Sequence, residues 1–161
     1  MIFSKSFGYA LRGILYIAMM KDEKRFVQSE EVAEQLAVPR HFMSKILKML
    51  VQQQLLVSSK GPSGGFALQE GALDVRLIDV VNMTDGLVTF SSCVLRVKEC
   101  NAQNPCPLHD QMVDVKNRLL EIVTSRRIRD LLNDDRLNFI NSISTEPGHQ
   151  PAEGVKTTRK K

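Results

Sequence analysis

Residues 29–68 read SEEVAEQLAVPRHFMSKILKMLVQQQLLVSSKGPSGGFAL, and the first half of this stretch has the pattern of two short helices with a compact joint. Ser29 is a good N-cap, and the acidic residues after it favour the positive end of a helix dipole, which predicts a helix over residues 30–36. Pro39 suits the first position of a following helix. In that helix the apolar residues recur at helical spacing: Met43, Ile46, Leu47 and Leu50. Two short helices joined by residues 37–39 predict a helix-turn-helix, although an ordinary helical hairpin shows a similar pattern.

The next part of the chain has the pattern of a small β-hairpin. Residues 55–59 change from apolar to polar along a short strand, residues 60–65 (KGPSGG) are turn formers, and residues 66–68 can form the returning strand. A hairpin after a helix-turn-helix is a wing, which brings a basic side chain, here Lys60, and glycine backbone close to phosphate. The combination is far more specific than either part and predicts a winged helix-turn-helix DNA-binding domain over residues 1–86.

The charge distribution favours the same interpretation. The 161 residues carry a net charge of +4, and no Asp or Glu occurs between Gln35 and Gln69. A basic stripe is the expected footprint of a nucleic-acid backbone, and the alternative is a solvated helix face. The candidate DNA-binding residues are Arg40, His41, Ser44 and Lys45 for base edges, Lys48 and Lys60 for phosphates, and the main-chain amides of Gly64 and Gly65.

Further helices surround this region. A first helix, capped by Ser4 or Ser6, is expected to end near Met20. Another helix is expected over residues 75–85, where Gly86 stops it.

A long helix is predicted from about Leu108 to Ile128, followed by a shorter one. Its apolar residues alternate in steps of four and three, the spacing of a coiled-coil seam: Leu108, Met112, Val115, Leu119 and Ile122. The seam could pack within its own domain, but a winged-helix domain already has a core, so a second copy of the chain is the expected partner. We therefore expect a cysteine-containing segment over residues 87–107, a dimerisation helix and a C-terminal helix over residues 108–144, and a disordered basic tail over residues 145–161.

The three cysteines of the chain form one cluster, Cys93, Cys100 and Cys106, and His109 follows closely. An odd number of clustered thiols favours metal or redox chemistry over a disulfide framework. Their spacing leaves three interpretations open, namely an iron–sulfur cluster, a structural zinc site and a metal-free thiol redox switch. A cluster usually has a fourth protein ligand, for which His109 is a candidate and Glu99 and Asp110 are alternatives.

Other classes of protein are disfavoured. The apolar run over residues 13–20 is far too short to span a bilayer, and charged residues rather than a cleavage site follow it, which indicates a cytoplasmic protein with no membrane partner. The sequence has no partnered nucleophile and base, and the glycines within residues 61–65 lack the Lys-Ser/Thr of a phosphate loop, so we expect no enzyme. A winged helix that binds protein instead of DNA is the remaining alternative.

Three motifs together resemble the Rrf-two family (Rrf2) of winged-helix transcription regulators, with IscR-like and NsrR-like members. Residues 4–12 (SKSFGYALR) resemble the opening of the family, residues 38–47 (VPRHFMSKIL) its recognition helix, and residues 60–68 (KGPSGGFAL) its wing. The cysteines fall where family members hold their cluster. The resemblance covers about residues 1–132, and the wing is its most specific part.

The resemblance implies a mainly α fold with a small β wing, and a homodimer that binds a pseudo-palindromic operator in double-stranded DNA. It implies an iron–sulfur cluster on Cys93, Cys100, Cys106 and His109 that controls operator affinity. The spacing Cys106-x-x-His109 favours a two-iron [2Fe–2S] cluster, with a four-iron [4Fe–4S] cluster as the alternative. The signal would be iron or cluster status, or redox or nitric-oxide stress. The chain departs from the family at Gln54, where a Gly is usual, and at Lys60, where an Arg would be bidentate.

Overall fold

The computed structural model describes residues 3–95, 100–132 and 136–144. It is mainly α-helical with one two-stranded antiparallel sheet, which confirms the predicted fold class. The helices and strands are, in chain order, α1 (Lys5–Met20), α2 (Ser29–Gln35), α3 (Arg40–Gln52), β1 (Leu56–Ser59), β2 (Gly65–Leu68), α4 (Leu77–Thr84), α5 (Val88–Ser91), α6 (His109–Ser125) and α7 (Arg136–Ile143), with 3₁₀ turns at Ala72–Asp74 and Ile128–Leu131.

The chain divides into two compact units. The first, which we call the cysteine unit, combines the residues up to Leu11 with Glu70–Leu131. The second, which we call the wing unit, combines Arg12–Gln69 with the residues from Leu132 onward. The domain boundaries predicted at residues 86 and 107 stay predictions, and the predicted tail over residues 145–161 lies outside the described residues.

In the wing unit, the apolar stripe predicted for α3 is buried at every position and packs with α1 and α2. Their shared core has the side chains that are least exposed to solvent: Ile14, Ile17, Met20, Val32, Leu36, Met43, Leu47 and Leu50. The outer face of α3 carries polar and basic side chains and one exposed aromatic side chain, Phe42. Burial of the stripe therefore fixes which face of the helix is available to a ligand.

The joint between α2 and α3 turns at Ala37, whose φ of 50° lies in the left-handed region. The N–H of Val38 donates to the carbonyl of Ala33 at 2.9 Å and closes the end of α2. Left-handed backbone is unfavourable for an alanine, so this turn is stabilised by the packing of the two helices around it.

The prediction that Ser29 caps α2 was wrong. Ser29 lies inside the helix, and Gln28 occupies the cap position without a side-chain cap bond. The hydroxyl of Ser29 instead accepts a hydrogen bond from the hydroxyl of Ser44 at 3.1 Å, which joins α2 to α3.

The wing is the hairpin of β1 and β2, in register from Leu56 opposite Leu68 to Ser59 opposite Gly65. Val27 extends the hairpin, because its N–H and carbonyl each form a 2.8 Å hydrogen bond with the backbone of Phe66. Gly65 must be glycine here: its φ is 141°, and a Cβ would lie 2.4 Å from the carbonyl oxygen of Val27.

Helix α3 ends in a left-handed stop even though no glycine is present. Gln54 has a φ of 60°. Its N–H donates to the carbonyl of Val51, and the N–H of Leu55 donates to the carbonyl of Leu50, which is the Schellman arrangement. The stop that a glycine normally favours is thus formed by a glutamine in strained backbone.

In the cysteine unit, Ser4 directly precedes α1 and caps it, one of the two capping residues that the sequence predicts. The Ser4 hydroxyl accepts a hydrogen bond from the N–H of Phe7 and donates to the carboxylate of Asp85 at 2.5 Å. The N–H of Ser4 donates to the same carboxylate at 2.6 Å. The start of α1 is therefore joined to the end of α4, where Gly86 (φ 73°) supplies the predicted stop.

The elements after α4 differ from the sequence-based prediction. The predicted cysteine-containing segment, residues 87–107, includes the helix α5, a single turn that contacts α6. Helix α6 begins at His109 and ends at Ser125, earlier than predicted, because the backbone of Arg126 is extended. The last predicted helix is divided into the 3₁₀ turn Ile128–Leu131 and α7. Within the described ranges, no helix is long and apolar enough to cross a membrane.

Candidate nucleic-acid interface and cysteine site

The outer face of α3 carries four of the predicted DNA contacts in exposed positions, Arg40, His41, Lys45 and Lys48. The fifth, Ser44, is half-buried and bonded to Ser29. Its hydroxyl therefore contributes to the rigidity of the helix-turn-helix.

Phe42 is a residue of this face that the sequence analysis did not select. It is 48% exposed, and its ring lies 4.1 Å from the ring of His41. The sequence could have predicted that Phe42 is exposed, because position 42 does not belong to the buried apolar stripe of α3. An apolar side chain between basic ones can contact a thymine methyl group in the major groove.

The wing presents Lys60 in an exposed position, as predicted. Gly64 differs from its predicted role: it is buried, and its N–H donates to the carbonyl of Gly61 at 2.9 Å. That amide is engaged within the turn and is not available to a phosphate. The side-chain amide of Gln28 donates to the carbonyl of Pro62 at 3.0 Å, which ties the wing to the start of α2.

In the cysteine unit, the structure brings the three thiols together. The sulfur atoms of Cys93, Cys100 and Cys106 all lie within 4.8 Å of one another, and those of Cys93 and Cys106 are 3.7 Å apart. All three side chains are half-buried, and none of them forms a disulfide bond. Residues separated by as many as thirteen positions therefore converge on one point.

His109, the first residue of α6, contacts this group through Cys100. Its ring atom Nδ1 lies 3.2 Å from the sulfur of Cys100, and its backbone N–H donates to the backbone carbonyl of Cys106 at 2.9 Å. Asp110, an alternative ligand, is exposed, and like His109 it lies outside the group of three converging cysteine sulfurs. Glu99, the other alternative, lies outside the described residues.

Opposing electrostatic effects act on the pKa of Cys106. The backbone N–H of Leu108 favours the thiolate of Cys106 and lowers its pKa, but desolvation and the neighbouring thiols Cys100 and Cys93 outweigh it, so the pKa of Cys106 is raised. Several thiolates at such short range repel each other unless a cation compensates for their charge. Without a cation the raised pKa therefore favours the neutral thiol of Cys106, and a bound metal ion would favour the thiolate instead.

The thiols open into a cavity of about 210 Å³ between α5, the cysteine segment and α6. Its lining includes Phe90, Cys93, Val94, Cys100, Cys106, His109, Met112, Val113, Lys116 and Asn117. Thiolate sulfur is the donor that iron–sulfur clusters and zinc both use, and a histidine is an accepted fourth ligand. The donor set therefore fits an iron–sulfur cluster, and it also fits a single tetrahedral metal.

Comparison with known proteins identifies the family. Residues 3–134 match the Rrf2 family model, whose description is an iron-dependent transcriptional regulator. The chain belongs to the Rrf2 family. Its members are transcriptional regulators, so this chain is a transcriptional regulator and not an enzyme, and the family implies that it binds DNA.

Curated relatives of this Rrf2 protein are also described as transcriptional regulators. An HTH-type transcriptional regulator of Aquifex aeolicus is 31% identical over 135 residues, covering 83% of this chain and 92% of the relative. The regulator IscR of Cronobacter sakazakii is 21% identical over 143 residues, covering 89% of this chain and 87% of the relative.

Solved structures confirm the winged-helix fold. CymR, described as the global cysteine regulator of B. subtilis, aligns with a TM-score of 0.63 at 18% identity and covers 80% of this chain and 93% of its own. IscR of T. potens aligns with a TM-score of 0.60 at 18% identity, and the alignment covers 80% of this chain and 83% of the IscR chain. At this identity the likeness concerns the fold alone.

Proposed function

We propose that this Rrf2 protein is a cytoplasmic homodimer whose affinity for its operator is controlled by an iron–sulfur cluster on Cys93, Cys100, Cys106 and His109. One observation carries the proposal: three thiols and a histidine from distant positions converge beside one cavity. The iron-dependent description of the family and the IscR relatives support it.

The choice of cluster rests on the ligand set. Three thiols and a histidine at Cys106-x-x-His109 favour the two-iron type, with the four-iron type as the alternative. The cluster would supply a group that gains or loses electrons, and that iron limitation, oxidants or nitric oxide can degrade. The chain supplies the half-buried thiols that bind it and the α6 residue that completes the set.

On the DNA side, we assign the exposed residues of α3 to the major groove. Arg40, His41 and Lys45 would contact base edges, and Lys48 would contact a phosphate. On the wing, Lys60 would reach the backbone or a neighbouring groove, while Gly65 shapes the hairpin. A pseudo-palindromic operator follows from two-fold symmetry of the protein, with half-sites roughly 34–36 Å apart.

Dimerisation through α6 is supported by its unburied apolar side chains. Of the predicted seam, Leu108, Val115 and Ile122 are 42, 42 and 55% exposed in the single chain. Apolar side chains at this exposure along one helix favour burial against a partner. A second copy of α6 presents a matching seam.

A structural zinc site or a metal-free thiol switch is the second candidate. The 3.7 Å separation of the Cys93 and Cys106 sulfurs fits the zinc site, because two thiolates at about 2.3 Å from one tetrahedral zinc lie about this far apart. A two-iron cluster fits the same separation if both thiolates bind one iron.

Purification without oxygen tests the proposal. We expect a coloured protein with iron and sulfide in near-equal amounts, and the number per chain distinguishes the two cluster types. Zinc in a colourless protein would support a structural site, and a metal-free protein would support a thiol switch.

The coupling to DNA is tested with Cys100→Ala. Mobility shifts on a duplex selected from random sequence would be measured with the cluster loaded and removed. We expect the wild-type affinity to change on cluster removal and that of Cys100→Ala to stay constant. Equal affinity of the loaded wild type, the stripped wild type and Cys100→Ala would refute control by the cluster and leave DNA binding intact.

A further inference from the structure

One face of α6 carries a cationic side chain next to the thiols that neither the ligand set nor the DNA interface uses. The α6 residues that line the cavity are His109, Met112, Val113, Lys116 and Asn117. Their spacing of three and four places them on one face of the helix. Lys116 lies seven residues beyond His109, about 10 Å along the helix axis.

The ammonium group of Lys116 donates a hydrogen bond to the backbone carbonyl of Ser92. Ser92 is the C-cap residue that directly follows α5, and Cys93 comes next in the chain. A helix end leaves carbonyl groups without partners inside the helix, and a lysine is a suitable donor to them. The contact therefore attaches to α6 the backbone from which Cys93 projects.

Cys93 and Cys106, the first and last of the three cysteines in the sequence, are thus both attached to α6. Cys106 is held at the start of the helix, where its carbonyl accepts the N–H of His109 at 2.9 Å. Cys93 is held two turns further along, through Ser92 and Lys116. Their sulfur atoms lie 3.7 Å apart between these two attachments.

We propose that Lys116 is a positioning residue for the metal site, which holds Cys93 in place to bind together with Cys106 and Cys100. This inference rests on the proposed function in that the thiols bind a metal or cluster. A preorganised ligand binds more tightly because less conformational freedom is lost on binding. Removal of a residue that orients a metal ligand typically lowers metal affinity 10–100-fold, and we expect this range for Lys116→Met.

Cobalt binding to the reduced, metal-free, full-length chain tests the inference. The thiolate-to-cobalt absorption counts the thiolates bound per metal, and competition with a chelator gives the affinity. We expect three thiolates per cobalt in the wild type, and for Lys116→Met a 10–100-fold weaker affinity with absorption reduced toward two thiolates. Lys116→Arg keeps a donor and should restore both. Arg118→Met is the matched control, because it removes the same charge from an exposed position of α6 outside the cavity lining, and it should bind like the wild type.

The Cys93→Ser background separates a positioning role from a general structural one. If Lys116 acts through Cys93, Lys116→Met causes no further loss of affinity in Cys93→Ser. The same loss in both backgrounds, or cobalt binding by Lys116→Met equal to that of Arg118→Met, would overturn the inference. Circular dichroism of each metal-free variant verifies folding, and Lys116→Gln replaces Lys116→Met if the latter does not fold. Absence of thiolate absorption in the wild type would instead refute the proposed metal site itself.

Discussion

The Nδ1 atom of His109 lies 3.2 Å from the sulfur of Cys100, at the point where α6 begins. The residue that follows Cys106 by three positions thus meets a different cysteine, nine residues away. This relationship joins the first turn of α6 to the middle of the cysteine segment. A metal bound between the two side chains would therefore link the helix to the segment directly.

Replacement of His109 by alanine is expected to weaken cluster binding at least tenfold, since loss of a ligand should exceed the smallest effect of losing an orienting residue. Iron and sulfide content after anaerobic reconstitution measures the loss. Asp110→Ala, at the exposed neighbouring position, is the control and should retain a full cluster. His109→Cys should retain a cluster with an altered visible circular dichroism spectrum. A full, spectrally unchanged cluster in His109→Ala would exclude His109 as a ligand.

Lys48 is exposed on the outer face of α3, and we predict that it contacts a phosphate rather than a base. Lys48→Ala should weaken binding to every duplex to a similar extent and reduce the slope of log affinity against log salt by about 1. Titrations at four or more salt concentrations on selected and random duplexes measure this slope. Arg118→Ala, which removes a cation from α6, should leave it unchanged. A loss confined to the selected duplex would assign Lys48 to base recognition instead.

Ile122 is 55% exposed on α6, the highest value among the seam residues with unburied side chains. Ile122→Asp places a charge in the proposed interface, which is unfavourable because the charge would lose its hydration. We expect the mass measured by light scattering to fall toward that of one 18.1 kDa chain at concentrations where the wild type is a dimer. Asp114→Asn, a polar change elsewhere on α6, should preserve the wild-type mass. If Ile122→Asp stays dimeric, the interface lies on another surface.

The parts of this molecule that could be predicted from sequence are those set by local pattern. The buried stripe of α3 and the wing follow from spacing and turn residues that act within a few positions. Ser29 shows the limit, because its hydroxyl has two possible partners and packing of α3 against α2 selects Ser44 over the helix cap. The sequence identified ligand types in the cysteine segment, but the convergence of Cys93 and Cys106 depends on long-range folding. Lys116 was missed because a lysine on a helix is usually only solvated.

Gln54 offers a direct test of strain at the end of α3. Its left-handed φ of 60° is unfavourable for a residue with a side chain but not for glycine, so Gln54→Gly should raise the free energy of unfolding. The strain relieved, roughly 1–2 kcal/mol, exceeds the roughly 0.5–1 kcal/mol that glycine loses in chain entropy, which leaves a gain of about 0.5–1 kcal/mol. Urea unfolding measures it. Gln53→Gly, at an ordinary φ of −86°, should instead lower stability, and equal effects at both positions would contradict the assignment of strain to Gln54.

We predict opposite effects on stability when Gly65 and Gly8 are each replaced by alanine. At Gly65 an alanine Cβ would meet the carbonyl of Val27 at 2.4 Å in backbone with a φ of 141°, so Gly65→Ala should destabilise the protein by about 1–3 kcal/mol. Because the wing is displaced, DNA affinity should fall as well. At Gly8, inside α1, a Cβ meets nothing within 4 Å, and Gly8→Ala should stabilise the protein by about 0.5–1 kcal/mol. Thermal unfolding and DNA titration of both variants measure the two effects. If Gly65→Ala kept wild-type stability and DNA affinity, the close approach of the wing to Val27 would not be needed for either.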